Sequence, residues 1–434
     1  MPSALPCGLS SPTDQAFAAV LRKAAAQYGT PAYVTDLAIL DRVASEIRGA
    51  FPDPWLRQYS IKANDVPAIV GEVTARGFGA NVVSRGEWAI ATRVGVPNDR
   101  ITLEGVGKTD ADLRAAIRAT AVGQIPLAWV ALESTDEAEV LTRMARRAGL
   151  GRGSRPALDV LVRLNPAVDP ETIPDFAVGD GASKFGMTET EATGLVEWLT
   201  SQADGAIRPR GVHLHVGSQL RAVDAWRDAV RRGLAVVALL RGGLETFDTL
   251  DIGGGFPILP LDEPVPTPAR FAREIPALLD TIPEARRPTR LAIEPGRSLV
   301  ARAGWIVARV LHVRDRGGRQ IVIDAGMTEL IRPALYGARH PISALTTLGR
   351  VAKPGGGATD GALEPTRVEG PICESTDTLG THDLPPLRRG DLVAISDTGA
   401  YGASFASTYN GRRRPPQIMA EPDGRLHVGR RAGR

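Results

Sequence analysis

Only five of the 52 basic side chains are lysines: Lys23, Lys62, Lys108, Lys184 and Lys353. The other 47 are arginines, so solvent-facing positions lean toward guanidinium, and a retained lysine is a candidate for chemistry that a guanidinium cannot perform. An amine that sheds its proton attacks carbonyl carbon. Lys62 has the most suggestive setting, in Tyr59-Ser-Ile-Lys-Ala-Asn64 at the end of a β-rich run. His213 and His215 alternate along Gly211-Val-His-Leu-His-Val-Gly-Ser-Gln219, so they share one face of a strand. Gly253, Gly254 and Gly255 bare backbone N–H groups that can approach a phosphate closely. Glu294-Pro-Gly-Arg-Ser298 adds a carboxylate and an arginine. A glycine triplet is commonly just a tight turn, and a lone histidine or glutamate at a strand end is commonly structural. Together, however, these groups form an aldehyde-capturing amine, a phosphate nest, an aromatic stacker and a carboxylate for a ring nitrogen.

The elements that must position them alternate in type. Strand candidates are Gln58–Lys62, Ala80–Ser84, Ile101–Glu104, Leu127–Leu132, Leu158–Leu164, Gly211–Val216, Thr249–Ile252 and Leu291–Glu294. Several are nearly continuous apolar runs, as expected of strands covered on both faces. Helical patterns separate them, among them Asp110–Ala119, Thr135–Ala148, Glu189–Gln202 and Asp224–Arg241. Eight such repeats predict an α/β fold, a (β/α)8 TIM-like barrel; a doubly wound open sheet would more often stop at five or six strands. In a barrel the strands' carboxyl ends carry the chemistry, and Lys62, His215, the glycines and Glu294 all lie at such ends. Lys62 is then expected to point into a mouth of low dielectric. The assembled set describes a site for pyridoxal 5'-phosphate, whose power to stabilise a carbanion depends on a protonated ring nitrogen.

After Gly304 the pattern becomes β-rich, with strand candidates Trp305–Val313, Gln320–Asp324, Thr366–Cys373, Asp391–Ser396 and Gln417–Val428 separated by Gly- and Pro-rich turns. A C-terminal all-β domain is expected, and Pro31–Thr35 is strand-like enough to join it. The expected division is a cofactor-binding barrel over 38–298 and a β domain built from 1–37 and 299–434, which supplies substrate and dimer-interface residues. A net charge of +3 over 434 residues, with both signs interspersed, gives no nucleic-acid footprint. No apolar run approaches the length of a membrane span, and Cys7 and Cys373 fit neither a disulfide framework nor a zinc spacing. A cytoplasmic protein without a metal, a membrane or a nucleic-acid partner is the expectation.

At this level of detail the chain resembles the fold-type III pyridoxal-phosphate decarboxylases, which include ornithine and arginine decarboxylases, and within them more closely the diaminopimelate decarboxylases. The matching pieces run nearly end to end. They are Gly29-Thr-Pro-Ala-Tyr-Val34, Tyr59-Ser-Ile-Lys-Ala-Asn64, Val83-Ser-Arg-Gly-Glu87, Ser183-Lys-Phe-Gly186, His215-Val-Gly-Ser218, Gly253-Gly-Gly-Phe256, Glu294-Pro-Gly-Arg297, Asp324-Ala-Gly-Met327, Ile331-Arg-Pro-Ala-Leu-Tyr336, Gly370-Pro-Ile-Cys-Glu374 and Gly399-Ala-Tyr401.

The resemblance implies that Lys62 binds the cofactor covalently, His215 stacks on its ring and Glu294 pairs with the ring nitrogen. It further implies that Ser218, Gly253, Gly254, Gly255, Gly296 and Arg297 bind phosphate, with Tyr401 capping it. Arg297, Arg332, Tyr336 and Tyr401 would hold the far end of an amino-acid substrate, and Glu374 its distal amino group. Cys373 would reprotonate the α-carbon, entering the partner's mouth in a homodimer with shared sites. The implied activity is decarboxylation of meso-diaminopimelate to L-lysine and carbon dioxide.

The alternatives are a decarboxylase of another D-amino acid, diamino acid or carboxylated polyamine, a racemase, and a non-enzymatic cofactor-binding homologue. A racemase wants a basic tyrosine or lysine opposite Lys62, and the non-enzymatic reading predicts loss of Lys62 or Cys373. Departures from the family pattern are Asn81 in place of an acid, and Ile173 with Val178-Gly179 in place of a histidine and a Thr-Gly pair. These are expected to leave the cofactor apparatus intact and to bear on substrate identity.

Overall fold

The structure, a computed structural model, describes residues 12–169, 172, 183–202, 205–258, 265–352 and 361–433. Cys7, Ile173, Val178, Gly179 and Lys353 lie outside the described residues. After a helix, Pro12–Tyr28, and a first strand, β1 (Ala32–Asp36), eight parallel strands close into a barrel. They are β2 (Leu56–Ser60), β3 (Gly79–Val82), β4 (Ile101–Leu103), β5 (Trp129–Leu132), β6 (Leu158–Leu164), β7 (Ile207–Leu214), β8 (Thr249–Asp251) and β9 (Arg290–Ile293). β9 pairs back onto β2, which closes the ring. All eight expected barrel strands form, β6 with the bounds read from its sequence. β7 begins earlier than expected, because Arg208-Pro-Arg210 reads as a loop. Pro209 is accommodated where the β6–β7 register shifts between Val160 and Leu161.

Helices cover the outside of the barrel, and their ends are chemically marked. Thr109 and Asp112 form a reciprocal capping box before Asp110–Ala119, and Thr188 and Glu191 do the same before Glu189–Thr200. The strands meet so closely that side chains are excluded at one crossing: a Cβ on Gly211 would lie 1.8 Å from the Thr249 carbonyl oxygen of β8.

The second layer is a nine-stranded sheet. It is built from β10 (Gly304–Asp315), β11 (Arg319–Ile323), β12 (Ile342–Ala344), β15 (Glu364–Glu369), β16 (Thr378–Leu384), β17 (Leu392–Ile395), β18 (Gln417–Ala420) and β19 (Leu426–Arg430), with β1 at its centre. β13 (Thr346–Thr347) and β14 (Arg350–Val351) form a separate two-stranded hairpin. β1 lies antiparallel to β10 and parallel to β18. The helix Pro12–Tyr28 packs Leu21, Ala24 and Ala25 against Val34, Trp305, Val307 and Ile418 of this sheet.

Two strand expectations are corrected. Gln417–Val428 is two strands around the Pro422-Asp-Gly turn. The strand expected over Thr366–Cys373 ends at Glu369, because the Asp377 carboxylate captures the N–H of Ile372 at 2.7 Å and that of Met327 at 2.6 Å. The backbone therefore turns before Cys373. β16 carries no clean alternation, since its ladder shifts register beside Val368 and Glu369, and the sequence did not reveal it. No helix among the described residues is long and apolar enough to cross a membrane.

Gly211→Ala forces its methyl into the Thr249 carbonyl. The variant is expected to lose more than about 3 kcal/mol of stability, read as a fall in the thermal unfolding midpoint of the purified protein.

Candidate active site

The strand ends open into one cavity of about 450 Å3. Lys62, His215, Ser218, Gly255, Glu294, Gly296, Arg297, Arg332, Tyr336 and Tyr401, all picked out from the sequence, line it. Lys62 sits in a single turn of 3-10 helix, Ile61–Ala63, directly after β2. Its neighbours Ile61 and Ala63 are buried while Lys62 itself is exposed to the mouth. The expected low-dielectric surround is therefore not supplied by this chain alone, because the mouth is open. Of the other described lysines, Lys23 donates to the Gly424 carbonyl, Lys108 pairs with Glu137 at 3.0 Å and Lys184 lies over the Phe185 ring.

His215 follows β7 directly. Its Nδ1 accepts the Gly254 N–H at 3.3 Å, which places the ring proton on Nε2. Burial first, then the charge of Lys62, push its pKa well below the ordinary range, so the ring is neutral. Gly253 and Gly254 are not among the cavity-lining residues; Gly254 instead orients His215. The triplet leaves no room for side chains. A Cβ would lie 2.2 Å from the Leu214 oxygen at Gly253, 2.3 Å from the Glu294 oxygen at Gly254 and 2.3 Å from the Gly217 oxygen at Gly255. Ser218 Oγ accepts from Arg297 Nη2 at 3.2 Å, and the Arg297 guanidinium lies 4.6 Å from the Tyr401 ring centroid. A neutral ring, a bared backbone beside a serine and an arginine, an amine and a buried carboxylate fit pyridoxal phosphate by donor chemistry and by shape.

Glu294 lies at the floor, just past β9. Asn81 Nδ2 donates to Glu294 Oε1 and also to Glu104 Oε2, the latter at 2.6 Å. Asn81, the departure from the family pattern, thus touches Glu294 directly, while Lys62, His215 and Glu294 themselves are all present at the cavity. Burial drives His213 down to about 4, so its 3.4 Å approaches to Glu104 and Glu294 are contacts of a neutral ring, not ion pairs. Glu104, Arg163, His213 and Phe185 also line the cavity, although no role was assigned to them from the sequence. Glu104 and Arg163 lie at the ends of strand candidates, where the strand-end rule applied to the other site residues could have found them. Arg163 pairs with Glu133 at 2.5 Å and stacks on the Phe185 ring.

The β sheet supplies the rest. Tyr401 has φ 58°, a left-handed value uncommon for a side-chain-bearing residue. Its N–H donates to the Ala63 carbonyl at 2.7 Å, while Asn64 Nδ2 donates to the Gly399 carbonyl at 2.8 Å. The turn that carries Tyr401 is thereby latched to the turn that carries Lys62. Arg332 opens the short helix Arg332–Tyr336, and its Nη1 meets His340 Nε2 at 2.8 Å. Burial, then Arg332, push His340 down to about 3, so this partner carries no charge. Arg332 is itself driven to about 10 by burial and then by the charge of Arg297. Cys373 and Glu374 do not line the cavity of their own chain; both are exposed on the connection from β15 to β16. Glu374 Oε1 accepts from the Tyr409 hydroxyl at 2.7 Å.

Comparison with known proteins follows the same lines. Residues 37–301 match the pyridoxal-dependent decarboxylase family over its pyridoxal binding domain. The chain is 33% identical to the diaminopimelate decarboxylase of Aquifex aeolicus, over 92% of this chain and 89% of that one. It is 37% identical to that of Actinosynnema pretiosum, over 91% and 84%. Among solved structures, diaminopimelate decarboxylase from Helicobacter pylori in complex with L-lysine superposes with a TM-score of 0.83, at 28% identity and covering 95% of this chain and 96% of that one. A lysine/ornithine decarboxylase from Vibrio vulnificus with cadaverine superposes at 0.75, with 25% identity over 94% and 97%. A barrel whose mouth gathers an amine, a neutral imidazole, a bared glycine turn and a buried carboxylate agrees with these likenesses, and the chain belongs to the pyridoxal-dependent decarboxylases that include the diaminopimelate decarboxylases.

Proposed function

We propose that the chain decarboxylates meso-diaminopimelate at its D-centre, releasing carbon dioxide and L-lysine. The observation that carries the substrate assignment is the pair of buried guanidiniums, Arg297 and Arg332, in one cavity wall beside Tyr336. Burial lowers both pKa values, the charge of Arg297 lowers that of Arg332 further, and the contact of Arg332 with His340 is to a neutral ring. A substrate carboxylate relieves both, and bidentate geometry suits guanidinium. A lysine or ornithine substrate brings no distal carboxylate to this wall.

The residues divide the work as follows. Pyridoxal phosphate, when bound, supplies a protonated ring that accepts the electron pair left by departing carbon dioxide. Lys62 would hold the cofactor through its aldehyde, its amine standing exposed at the mouth where a substrate amine arrives. His215 would pack against the ring face and, being neutral, would leave the ring's positive charge to Glu294, which would accept a hydrogen bond from the ring nitrogen. Gly255, Ser218 and the Gly296–Arg297 backbone would hold the phosphate, with Tyr401 across it, while Gly254 is spent on orienting His215. Arg297, Arg332 and Tyr336 hold the distal carboxylate, which fixes the scissile carboxylate relative to the ring.

The exposed Cys373 and Glu374 complete the site from a second copy of the chain. Glu374 of the partner subunit reads the distal amino group, and Cys373 of the partner subunit returns a proton to the α-carbon. On this reading the working unit is a cytoplasmic homodimer without nucleic-acid or membrane partners. The barrel over 38–298 holds the cofactor, and 1–37 with 299–434 supply substrate and interface residues.

Purified protein with pyridoxal phosphate is offered meso-diaminopimelate, D-lysine, D-ornithine and D-arginine, scoring carbon dioxide and product chirality. Turnover of the first to L-lysine is expected; turnover only of another sinks the substrate assignment. Arg332→Met is expected to lower kcat/KM for diaminopimelate by roughly a hundredfold, with little effect on the bound cofactor's absorbance. Shared sites are tested by complementation. Lys62→Ala and Cys373→Ala are each inactive alone, and after mixing and subunit exchange they regain about a quarter of wild-type activity. No recovery despite exchange would place Cys373 outside the partner's site.

A further inference from the structure

Glu104 follows β4 at the barrel floor and has no part in the roles assigned above. Its Oε2 accepts one hydrogen of the Asn81 amide, whose other hydrogen goes to Glu294. Polar atoms of Glu104, His213 and Glu294 all lie within 4.8 Å of one another, on side chains that are almost fully buried. Glu104 Oε1 has no hydrogen-bond partner among the described residues. Two carboxylates this close and this dry do not both ionise.

The charged and titratable groups around the pair offer no neutralising cation within it. His213 of β7 is neutral. Asp251 of β8 is pushed well up by burial and then by Glu294, so it keeps its own proton. Arg163 of β6 is committed to Glu133. Lys62 lines the same cavity but forms no ion pair with either carboxylate. A proton must therefore reside on the pair. Burial, followed by the charge of Glu294, raises Glu104 to about 8 from an ordinary 4.5.

We propose that Glu104 is a positioning residue for the ring-binding carboxylate. It keeps the pair's proton at neutral pH and shares it with Glu294 only as a hydrogen bond, while Asn81 donates to both carboxylates. Glu294 then presents one fixed negative charge to the cofactor's ring nitrogen. The inference rests on the assignment of Glu294 to that nitrogen. Because Glu104 is an acid raised above its ordinary value, its stabilising effect is present at low pH and is lost as pH rises through about 8.

Infrared difference spectra of the apoprotein, taken while pH is raised through this window, are expected to show loss of a protonated-carboxyl C=O band. Glu104→Gln is expected to lack this band. That variant keeps an N–H donor toward Glu294 and should bind pyridoxal phosphate within about threefold of wild type. Glu104→Leu removes the donor and should bind it roughly tenfold more weakly or worse. The 1-deaza analogue of the cofactor, which has no ring nitrogen, should be weakened far less. A band that persists in Glu104→Gln overturns the proposal, as does equal weakening of both ligands by Glu104→Leu, which marks a merely structural role. If wild-type protein binds neither ligand, the functional reading falls first and this inference with it.

Discussion

A carboxylate buried at the end of the last barrel strand sets the terms for everything around it. Glu294 is 5% exposed, and a charge so placed is tolerated only with donors in reach and like charges suppressed. Asn81 of β3 supplies the donor. His213 of β7 stays neutral because burial forbids its cation, and Asp251 of β8 stays protonated for the same reason. These residues lie far apart in sequence and meet only because β2–β9 close into a ring with their carboxyl ends on one side. The fold thus gathers these groups at one point on the floor of the cavity.

The second constraint is the latch between layers. Asn64 holds the Gly399 carbonyl and Ala63 holds the Tyr401 N–H, so the turn bearing Lys62 and the turn bearing Tyr401 are tied together. The strained backbone at Tyr401 costs of order 1–3 kcal/mol and persists because these contacts fix it. The same sheet brings Arg332 to the mouth. Its guanidinium is held by a histidine that burial keeps uncharged, which orients the cation without cancelling it.

The connection between β15 and β16 shows how a segment can be ordered and yet turned away from its own cavity. Asp377 accepts two backbone N–H groups, from Met327 and Ile372, and its own N–H returns to the Glu374 carbonyl. Cys373 and Glu374 are left exposed at the apex of a braced loop. Neither side chain lines the cavity of its own chain, because the bracing by Asp377 holds the loop away from it.

Much of this was legible without coordinates. The alternation of apolar runs with helical periods gives eight strands and a barrel, because strand and helix periods are local properties of the chain. The residues at strand ends follow from the same count, which is why Lys62, His215 and Glu294 could be chosen. The sequence was silent where local pattern is weak. The helix Pro12–Tyr28 and the irregular strand β16 were unseen, and the run ending at Cys373 was taken for strand because Asp377, four residues on, shows no sign that it will take the Ile372 N–H. Sequence alone determined which reactive groups the chain carries and that they sit at the ends of strands. Only the closed barrel decided that Asn81, Glu104, His213 and Glu294 share one dry pocket, and that Gly254 steers His215. Proton affinity and charge depend on distance and burial through space, and these exist only once the ring is closed.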